Sequence, residues 1–291
     1  MKRRGSCTAA FLAAAFAPSL FAASIHTSRF QIKGDWCFVK KTDAATERAV
    51  VLLHGNGEIV AANGSTWETR ADENGLIELL TGAGFIVAQS NAAAIPGNGM
   101  WGNSATERAV SALMRHLRRV EHAARFDAIA ISAGNLTLLN LMLGGVSFDH
   151  VVMLAPVTSL ESLYRCPAGV DRVGQISRAF GFAPASGCPG NPEKDPGFRR
   201  TTADLDPGRA GPLTRRRLRV LRKARWMAFY EEYDPKVPPP ENILLWKATL
   251  DGIRAKFTAR PLKGGREHTS PALFVQVASE LLSFLHTAPL P

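Results

Sequence analysis

The sequence predicts an α/β protein with a mostly parallel central sheet and helices packed on both of its faces. Short runs rich in Val, Ile and Leu alternate with longer segments of helical periodicity along most of the chain. Polar residues rarely interrupt these runs, which is typical of parallel strands buried on both faces. Right-handed crossovers then return each helix over the sheet, so that both faces become covered. The 291 residues, 46% of them hydrophobic, suffice for one large core.

The predicted elements follow one another with short connections. A hairpin at 29–41 turns at Gly34-Asp35, and "RAVVLLHGNGE" (48–58) contains the first buried strand. A capping box, Ser104 to Glu107, opens a helix that runs to about residue 124. The remaining elements are a helix at 73–84, a strand at 85–90, a strand at 126–131, a helix at 134–144, strands at 150–154 and 226–230, a helix at 240–253, a strand at 256–262 and a helix at 270–285.

Two segments depart from this alternation. Residues 156–222 contain prolines, glycines and charges, which predicts an insertion into a domain at 25–291. At the N-terminus, Lys2, Arg3 and Arg4 precede an uncharged run of about 18 residues that ends in small side chains. This pattern predicts a signal peptide over residues 1–24 and a protein exported to the periplasm or secreted. A retained membrane anchor is the alternative, whereas cleavage leaves no transmembrane span.

Three cysteines remain after signal cleavage. Outside the cytosol, Cys166 and Cys188 are candidates for a disulfide that closes a loop of about 22 residues and contributes roughly 3 kcal/mol. Cys37 would then be a buried free thiol. The sequence contains no Cys-x-x-Cys or His-x-His pair, so we predict no metal site.

The formal net charge is +10, and much of the excess lies in "TRRRLRVLRKAR", residues 214–225. This stretch predicts an amphipathic basic helix that could bind an anionic lipid surface, an acidic polymer or nucleic acid. No nucleic-acid motif accompanies it, so specific nucleic-acid binding is not predicted, and a solvated cationic face is the simplest alternative. The cations are Arg215, Arg216, Arg217, Arg219, Arg222, Lys223 and Arg225.

The candidate functional residues follow strands of the predicted sheet, because chemistry in such sheets gathers beyond the carboxyl ends of the strands. Ser132 follows strand 126–131 and precedes a helix. Small residues two positions away on each side, Ala130 and Gly134, permit a sharp turn that projects the hydroxyl. A serine that only caps the helix is the alternative.

Three further loops follow other strands. After strand 49–53, the backbone amide of Asn56 or Gly57 could form an oxyanion hole together with that of Ala133, although an ordinary turn explains the glycines equally well. Asp234 follows strand 226–230, with Glu231 and Glu232 as competitors, and could orient an imidazole. His268 precedes the last helix, and a loop residue without a chemical role is its alternative.

The order of these residues along the chain, Ser, then Asp, then His, resembles the α/β-hydrolase superfamily over roughly residues 48–287. The resemblance implies that Ser132 is the nucleophile, His268 the general base and acid, and Asp234 its orienting carboxylate. It also implies oxyanion-hole amides at Asn56 and Ala133. The segment 156–222 would be a cap over the site, held by the Cys166–Cys188 disulfide. The usual first glycine of the Gly-x-Ser-x-Gly motif is Ala130 here, and Glu58 and Asn135 match no subfamily.

From these residues we predict an exported serine hydrolase that cleaves a small-molecule or lipid ester through an acyl-enzyme. No metal or organic cofactor is implied. Met100 and Trp101, in the loop 92–103, could line an acyl or leaving-group pocket, with core packing of Trp101 as the alternative. Two alternative functions are a non-catalytic exported binding protein that uses the basic stretch and a peptidase or amidase of the same superfamily.

Overall fold

The computed structural model describes residues 24–93, 101–209, 211–263, 268 and 272–290. Residues 1–23 of the predicted signal peptide and the predicted pocket residue Met100 lie outside the described residues. No helix in the described ranges is long and apolar enough to cross a membrane.

The described part of the chain contains one large sheet and a small separate hairpin. The strands are β1 Ile25–Ile32, β2 Asp35–Thr42, β3 Arg48–Leu53, β4 Val60–Ala61, β5 Gly64–Ser65, β6 Ile86–Ser90, β7 Arg125–Ile131, β8 His150–Leu154, β9 Arg225–Glu231 and β10 Lys256–Leu262. Within the described residues, eight of them form the sheet in the order β1-β2-β6-β3-β7-β8-β9-β10, and β4 pairs with β5.

The large sheet is mostly parallel, as predicted. The β1–β2 hairpin is antiparallel and joins the sheet through an antiparallel β2–β6 pairing. All other neighbouring strands of this sheet are parallel, with Val51 opposite Ala88 and Ala128, for example. The carboxyl ends of β3, β7, β8 and β9 therefore lie at the same edge of the sheet.

The helices that follow the strands cover both faces of the sheet. They are α1 Thr66–Thr69, α2 Ala71–Gly82, α3 Ser104–Arg119, α4 Gly134–Leu143, α5 Leu160–Tyr164, α6 Val173–Phe180, α7 Pro196–Thr202, α8 Arg215–Lys223, α9 Ile243–Gly252 and α10 Ala272–Leu285. Short 3₁₀ turns lie at Pro167–Gly169, Pro207–Arg209 and Pro239–Glu241.

Each face of the sheet has its own hydrophobic cluster. One cluster joins the sheet to α3, α4, α8 and α9 through buried residues such as Leu113, Leu138 and Leu221. The other joins the opposite face to α2 and α10 through residues such as Ile77 and Leu281. The fold class predicted from the sequence, with helices on both faces of a parallel sheet, is confirmed.

The start and end of α3 differ from the prediction. Asn103, not Ser104, caps this helix, because its side-chain oxygen accepts hydrogen bonds from the amides of Ala105 and Thr106 at 3.0 and 3.1 Å. The helix ends at Arg119 rather than near residue 124. His122 then takes a positive φ of 56°, a left-handed conformation that turns the chain toward β7.

The segment 156–222 contains α5 to α8 and a third hydrophobic cluster. Tyr164 and Phe198 are fully buried in it, and Leu136 of α4 joins it to the body of the protein. The predicted Cys166–Cys188 disulfide is present, with 5.9 Å between the Cα atoms. The last helix of the segment, α8, instead covers the sheet beside α4. Cys37 is a buried free thiol on β2, and burial, reinforced by the nearby charge of Asp35, raises its pKa to about 12.

Candidate active site

Ser132 lies on a sharp turn between β7 and α4. Its φ of 50° is left-handed, a conformation that residues other than glycine rarely adopt and that surrounding contacts must hold in place. The Ser132 amide donates to the Leu154 carbonyl at 2.9 Å, and the Ser132 carbonyl accepts from the amides of Asn135 and Val157. The turn is thereby tied to β8 and to the chain beyond it, and the hydroxyl is left half-exposed.

Gly134 allows this turn to pack against the end of β3. A Cβ atom at position 134 would lie 2.2 Å from the Leu53 carbonyl oxygen and 2.6 Å from that of His54. No side chain fits there, which gives a physical reason for a small residue two positions after the serine. The amino end of α4 is consequently close to the loop that follows β3.

Asn135 holds the same turn from inside the protein. Its buried side-chain Nδ2 lies 3.0 Å from the Ser132 carbonyl oxygen, 3.3 Å from that of Ala130 and 3.4 Å from that of Leu154. The sequence pattern did not reveal this role, because these three carbonyls come together only when β7, β8 and the turn are folded. Asn135 thus supports the backbone from which the Ser132 hydroxyl projects.

Ser132, His268 and Asp234 form a continuous chain of contacts. The Ser132 Oγ lies 2.7 Å from the His268 Nε2, and the His268 Nδ1 lies 2.5 Å from the Asp234 Oδ2. Both His268 and Asp234 are buried, at 9% and 6% exposure, so water screens their interaction weakly. The sequence prediction named these three residues from strand-end loops, and the fold brings all three side chains together.

The Asp234 carboxylate is fixed on its other side as well. Its Oδ1 accepts hydrogen bonds from the amides of Lys236 and Val237 at 2.9 and 3.0 Å. These bonds set the direction of the carboxylate. Asp234 is therefore the acid whose carboxylate contacts His268, in place of its predicted competitors Glu231 and Glu232.

The loop after β3 lies directly against the serine turn. A Cβ built on Gly55 would lie 3.3 Å from the Ser132 Cβ. The amides of the predicted oxyanion-hole residues Asn56, Gly57 and Ala133 donate to no acceptor in the part of the chain that the structure describes. Asn56 lines the cleft over Ser132, whereas Gly57, with a φ of 82°, does not.

Glu58 holds this loop in shape. Its Oε2 accepts hydrogen bonds from the Gly55 amide at 2.6 Å and from the Trp67 indole at 2.9 Å, and its Oε1 pairs with Arg70 at 2.9 Å. The carboxylate is buried, and both of its oxygens are occupied. The sequence prediction missed this role because Trp67 and Arg70 belong to α1 and its end, a short helix that the pattern did not reveal.

Comparison with known proteins is informative at the level of structure. No protein-family model matches the chain, and no curated protein matches it. The fold is similar to an acylaminoacyl peptidase from Pyrococcus horikoshii, with a TM-score of 0.63 and 15% identity. It is also similar to carboxyl esterase 2 from the fungus Tuber melanosporum, with a TM-score of 0.61 and 14% identity, and to a thermostable esterase from Pseudomonas putida, with 0.60 and 12%.

The similarity extends over nearly the whole of this chain. It covers 92% of the chain for the peptidase, 94% for the fungal esterase and 91% for the bacterial esterase. This chain has the α/β-hydrolase fold. It spans 42% of the length of the peptidase but 88% and 84% of the lengths of the two esterases.

In this α/β-hydrolase fold, a cleft of about 230 Å³ opens over Ser132 and His268. Its walls include Asn56 from the loop after β3 and Arg172 from the segment 156–222. The two parts are joined where the Asn56 side-chain amide donates to the Gln175 Oε1 at 2.6 Å. A larger cleft of about 600 Å³ lies between the β1–β2 hairpin and α3, and none of these residues lines it.

Trp101 is not a lining residue of the cleft, contrary to its predicted place in a substrate pocket. It is 1% exposed and packs with Ala133 and Leu136 in the cluster under the segment 156–222. The large apolar indole is stabilised by that burial. Trp101 lies next to the cleft residue Arg172, whose guanidinium carbon is 5.9 Å from the centre of the indole ring.

The basic stretch forms the amphipathic helix α8, as its pattern indicated. Val220 and Leu221 are buried, and Arg217 and Arg222 donate to the carbonyls of Leu143 and Ile253 at the ends of α4 and α9. Arg225, the first residue of β9, donates its Nη1 to the Ala288 carbonyl at 3.0 Å. Among the described residues, the other cations of α8 form no ion pair; they are Arg215, Arg216, Arg219 and Lys223.

Proposed function

We propose that this chain is a serine hydrolase that cleaves carboxylic esters by acyl transfer to Ser132 and then to water. One observation carries the proposal: the Ser132 hydroxyl, the His268 imidazole and the Asp234 carboxylate lie in one chain of contacts at 2.7 and 2.5 Å. A serine hydroxyl is a weak nucleophile unless an adjacent base takes its proton, and this arrangement supplies the base and a group that orients it.

In the first half of the reaction, the Ser132 Oγ attacks the ester carbonyl carbon and its proton passes to the His268 Nε2. The carbonyl oxygen becomes an oxyanion, which the amides of Asn56 and Ala133 stabilise. The intermediate collapses as His268 protonates the departing alcohol, and the acyl group stays on Ser132. In the second half, water attacks the carbonyl carbon of the acyl-enzyme and His268 takes a proton from that water. The bond to the Ser132 Oγ then breaks, the carboxylic acid product leaves, and the proton passes from His268 to Ser132.

Asp234 acts on His268 and remains ionised throughout. Its Oδ2 accepts a hydrogen bond from the Nδ1–H of the ring, which keeps the ring proton on Nδ1 and leaves Nε2 free to take the serine proton. The imidazolium that forms is stabilised by the neighbouring carboxylate, and the two backbone amides on Oδ1 keep that carboxylate in place.

The structural neighbours include both esterases and a peptidase, so whether the scissile bond is an ester or an amide must be tested separately. Both bonds break through the same attack of a serine on a carbonyl carbon, so the triad by itself does not distinguish an ester from an amide. A p-nitrophenyl ester and the anilide of the same acid distinguish the two bonds, and faster turnover of the anilide would favour the amidase alternative.

The experiment that tests the proposal is the turnover of p-nitrophenyl butyrate by Ser132→Ala. We expect kcat to fall by at least about 10³-fold, because the variant keeps binding but loses the nucleophile. Ser28→Ala, which removes an exposed hydroxyl from β1, is the matched control and should retain wild-type turnover. Equal turnover by the wild type and Ser132→Ala would contradict the proposal.

We also propose that the protein acts outside the cytosol. The Cys166–Cys188 disulfide supports this location, because structural disulfides persist mainly in oxidising compartments. Peptide mapping of the exported protein under non-reducing conditions tests it. The expected result is a linked pair of peptides containing Cys166 and Cys188, and free thiols at both positions would contradict it.

A further inference from the structure

The cleft over Ser132 carries more positive than negative charge. Arg70, Arg172 and Lys236 line it, and Glu58 is the acid that lines it within the described residues. Arg70 is paired with both Glu58 and Glu73, so its charge is balanced inside the protein. The excess positive charge of the cleft therefore comes from Arg172 and Lys236.

Arg172 is held in place without a carboxylate partner among the described residues. Its guanidinium lies over the Trp101 ring, and its Nη1 lies 3.4 Å from the Gln175 Oε1. The neighbouring acid, Asp171, directs its Oδ1 toward the Gly174 amide at 3.4 Å. The Arg172 side chain is thus positioned by neutral groups, and the residue lines the cleft.

The backbone of Lys236 is held by Asp234, a residue of the triad. Its amide donates to the Asp234 Oδ1, so the backbone that carries Lys236 is fixed relative to the carboxylate that holds His268. The side chain is exposed, and no ion pair includes it in the described ranges. Lys236 lines the cleft together with Ser132 and His268.

The half-buried position of Arg172 is unfavourable for an unpaired charge. Burial lowers the pKa of its guanidinium, and the charge of Asp171 offsets this only in part. An anion bound in the cleft would restore the interactions that the guanidinium loses on leaving water. A carboxylate suits this role, because its two oxygens match the planar fork of an arginine.

The size of the cleft limits what can carry that anion. A volume of about 230 Å³ is below the usual range of about 300–1,000 Å³ for sites that enclose drug-sized ligands. A short chain with a terminal carboxylate fits such a space better than a long acyl chain does.

We propose that the natural substrate is a short ester that carries a carboxylate near its scissile bond, and that Arg172 and Lys236 bind this carboxylate. This rests on the proposed function and specifies its substrate class. The two cations determine specificity, while the chemistry at Ser132 stays as described. Since Arg172 belongs to the segment 156–222, that segment would select the substrate.

The test compares pairs of esters that differ in one charge. One pair places the charge on the acyl side: mono-p-nitrophenyl glutarate against p-nitrophenyl pentanoate. The other pair places it on the leaving group: 3-carboxyphenyl butyrate against 3-carbamoylphenyl butyrate. Rates without enzyme are subtracted for all four. We expect the wild type to have a kcat/KM at least about tenfold higher for the charged member of one pair at low ionic strength.

The variants Arg172→Gln and Lys236→Gln should each lower this charged-to-neutral ratio, with the larger loss, about tenfold, for the half-buried Arg172. The ratio corrects for any general loss of activity. Arg119→Gln removes an exposed charge from the end of α3 and is the control, which should keep the wild-type ratio. Added salt should lower the wild-type ratio, because screening weakens ionic attraction.

A wild-type ratio near one for both pairs would overturn the proposal, as would a raised ratio that neither cleft variant changes. In both cases the enzyme still hydrolyses the neutral esters, so the serine hydrolase assignment stands. If the wild type hydrolyses none of the four esters and does not react with a fluorophosphonate, the proposed function fails and this inference falls with it.

Discussion

At the scale of single residues, the two oxygens of Asp234 have different partners. One oxygen contacts the His268 Nδ1, and the other accepts hydrogen bonds from two backbone amides of its own loop. The carboxylate cannot turn without losing these bonds, so the imidazole that it contacts is held in one orientation. The direction of proton transfer from Ser132 therefore depends on an acid that does not touch the substrate.

Asp234→Asn tests this dependence. The asparagine oxygen can keep the loop amides, but its NH₂ group then faces Nδ1 and favours the proton on Nε2, the wrong tautomer for a base. We expect kcat for p-nitrophenyl butyrate to fall by about 10³- to 10⁴-fold with the fold intact. Glu232→Gln, two residues earlier and exposed, is the matched control. A loss of less than tenfold would show that Asp234 does not orient the base.

The residues of the triad could be predicted because each follows a strand that a continuous apolar or an alternating run reveals. Ser132 has the additional local signal of small neighbours on both sides. Glu58 and Asn135 gave no such signal, although each holds backbone atoms beside Ser132. Their partners lie on different strands, loops and a short helix, so their roles arise from tertiary contacts.

At the scale of elements, the site depends on the packing of β3, β7 and α4 against one another. The amino end of α4 touches the carbonyls that end β3, and Gly134 is the residue at the contact. The serine turn and the loop of the proposed oxyanion hole are held together by this packing. The geometry of the site therefore depends on a contact between main-chain atoms that any side chain would block.

Gly134→Ala should destabilise the protein, because its Cβ must displace the main chain of β3. We expect a loss of about 1–3 kcal/mol in the free energy of unfolding, measured by urea denaturation. Gly75→Ala is the matched control in α2, where a Cβ meets no atom within 4 Å. This control should gain up to about 1 kcal/mol from helix propensity. Equal stability of the two variants would contradict the packing described here.

Buried polar side chains stabilise the segment 156–222 through hydrogen bonds. Asp206 accepts hydrogen bonds from the amides of Leu160, Glu161 and Gly208, and thereby caps α5. Burial raises the pKa of its carboxyl group to about 6, an effect that the three amides reduce but do not reverse. The folded protein therefore holds this proton at a pH where the unfolded chain has released it.

The pH dependence of stability follows from that difference. Between pH 4 and pH 6 the folded state binds more protons at Asp206, so the free energy of unfolding should decrease as the pH rises. The contribution is up to about 1.4 kcal/mol per pH unit and should be absent from Asp206→Asn. Asp204→Asn, which changes an exposed neighbour, should keep the wild-type slope. Identical slopes for all three proteins would contradict the raised pKa.

The strands and the long helices were predictable, and the internal order of the segment 156–222 was not. Strands β8 and β10 match their predicted bounds because continuous apolar or alternating runs define them. Helices α5 to α7 are short and lie among prolines, glycines and charges, which give no periodic signal. Buried side chains such as Asp195 and Asp206 stabilise this segment instead. They accept hydrogen bonds from Tyr164 and Leu160, 31 and 46 residues away along the chain, which a local pattern does not show.

At the scale of the whole molecule, the topology accounts for the site. Ser132, Asp234 and His268 lie 102 and 34 residues apart along the chain. The parallel order of β3, β7, β8 and β9 brings their carboxyl ends to one edge of the sheet. Cations without an ion-pair partner among the described residues lie both at the cleft and on the exposed face of α8.

Binding of α8 to an anionic partner can be tested by changing the cations of α8 that form no ion pair and no carbonyl hydrogen bond among the described residues. Arg215 and Arg219 are exposed, whereas Arg217 and Arg222 bind helix-end carbonyls. We expect the protein to co-sediment with vesicles rich in anionic lipid at low salt, and to be released as salt rises. The double variant Arg215→Glu and Arg219→Glu should bind less, and Arg119→Glu should bind as the wild type does. Equal sedimentation of all three would leave α8 as a solvated cationic face.

For the whole molecule, the most direct measurement is the identification of the residue that a fluorophosphonate labels. A phosphonate reacts with a serine only where a neighbouring base and an oxyanion hole activate it. Intact-mass and peptide mass spectrometry of the treated wild-type protein should show one adduct, on the peptide that contains Ser132, and none in Ser132→Ala. An unlabelled wild-type protein, or an adduct on another serine, would contradict the activation of Ser132 by His268 and Asp234.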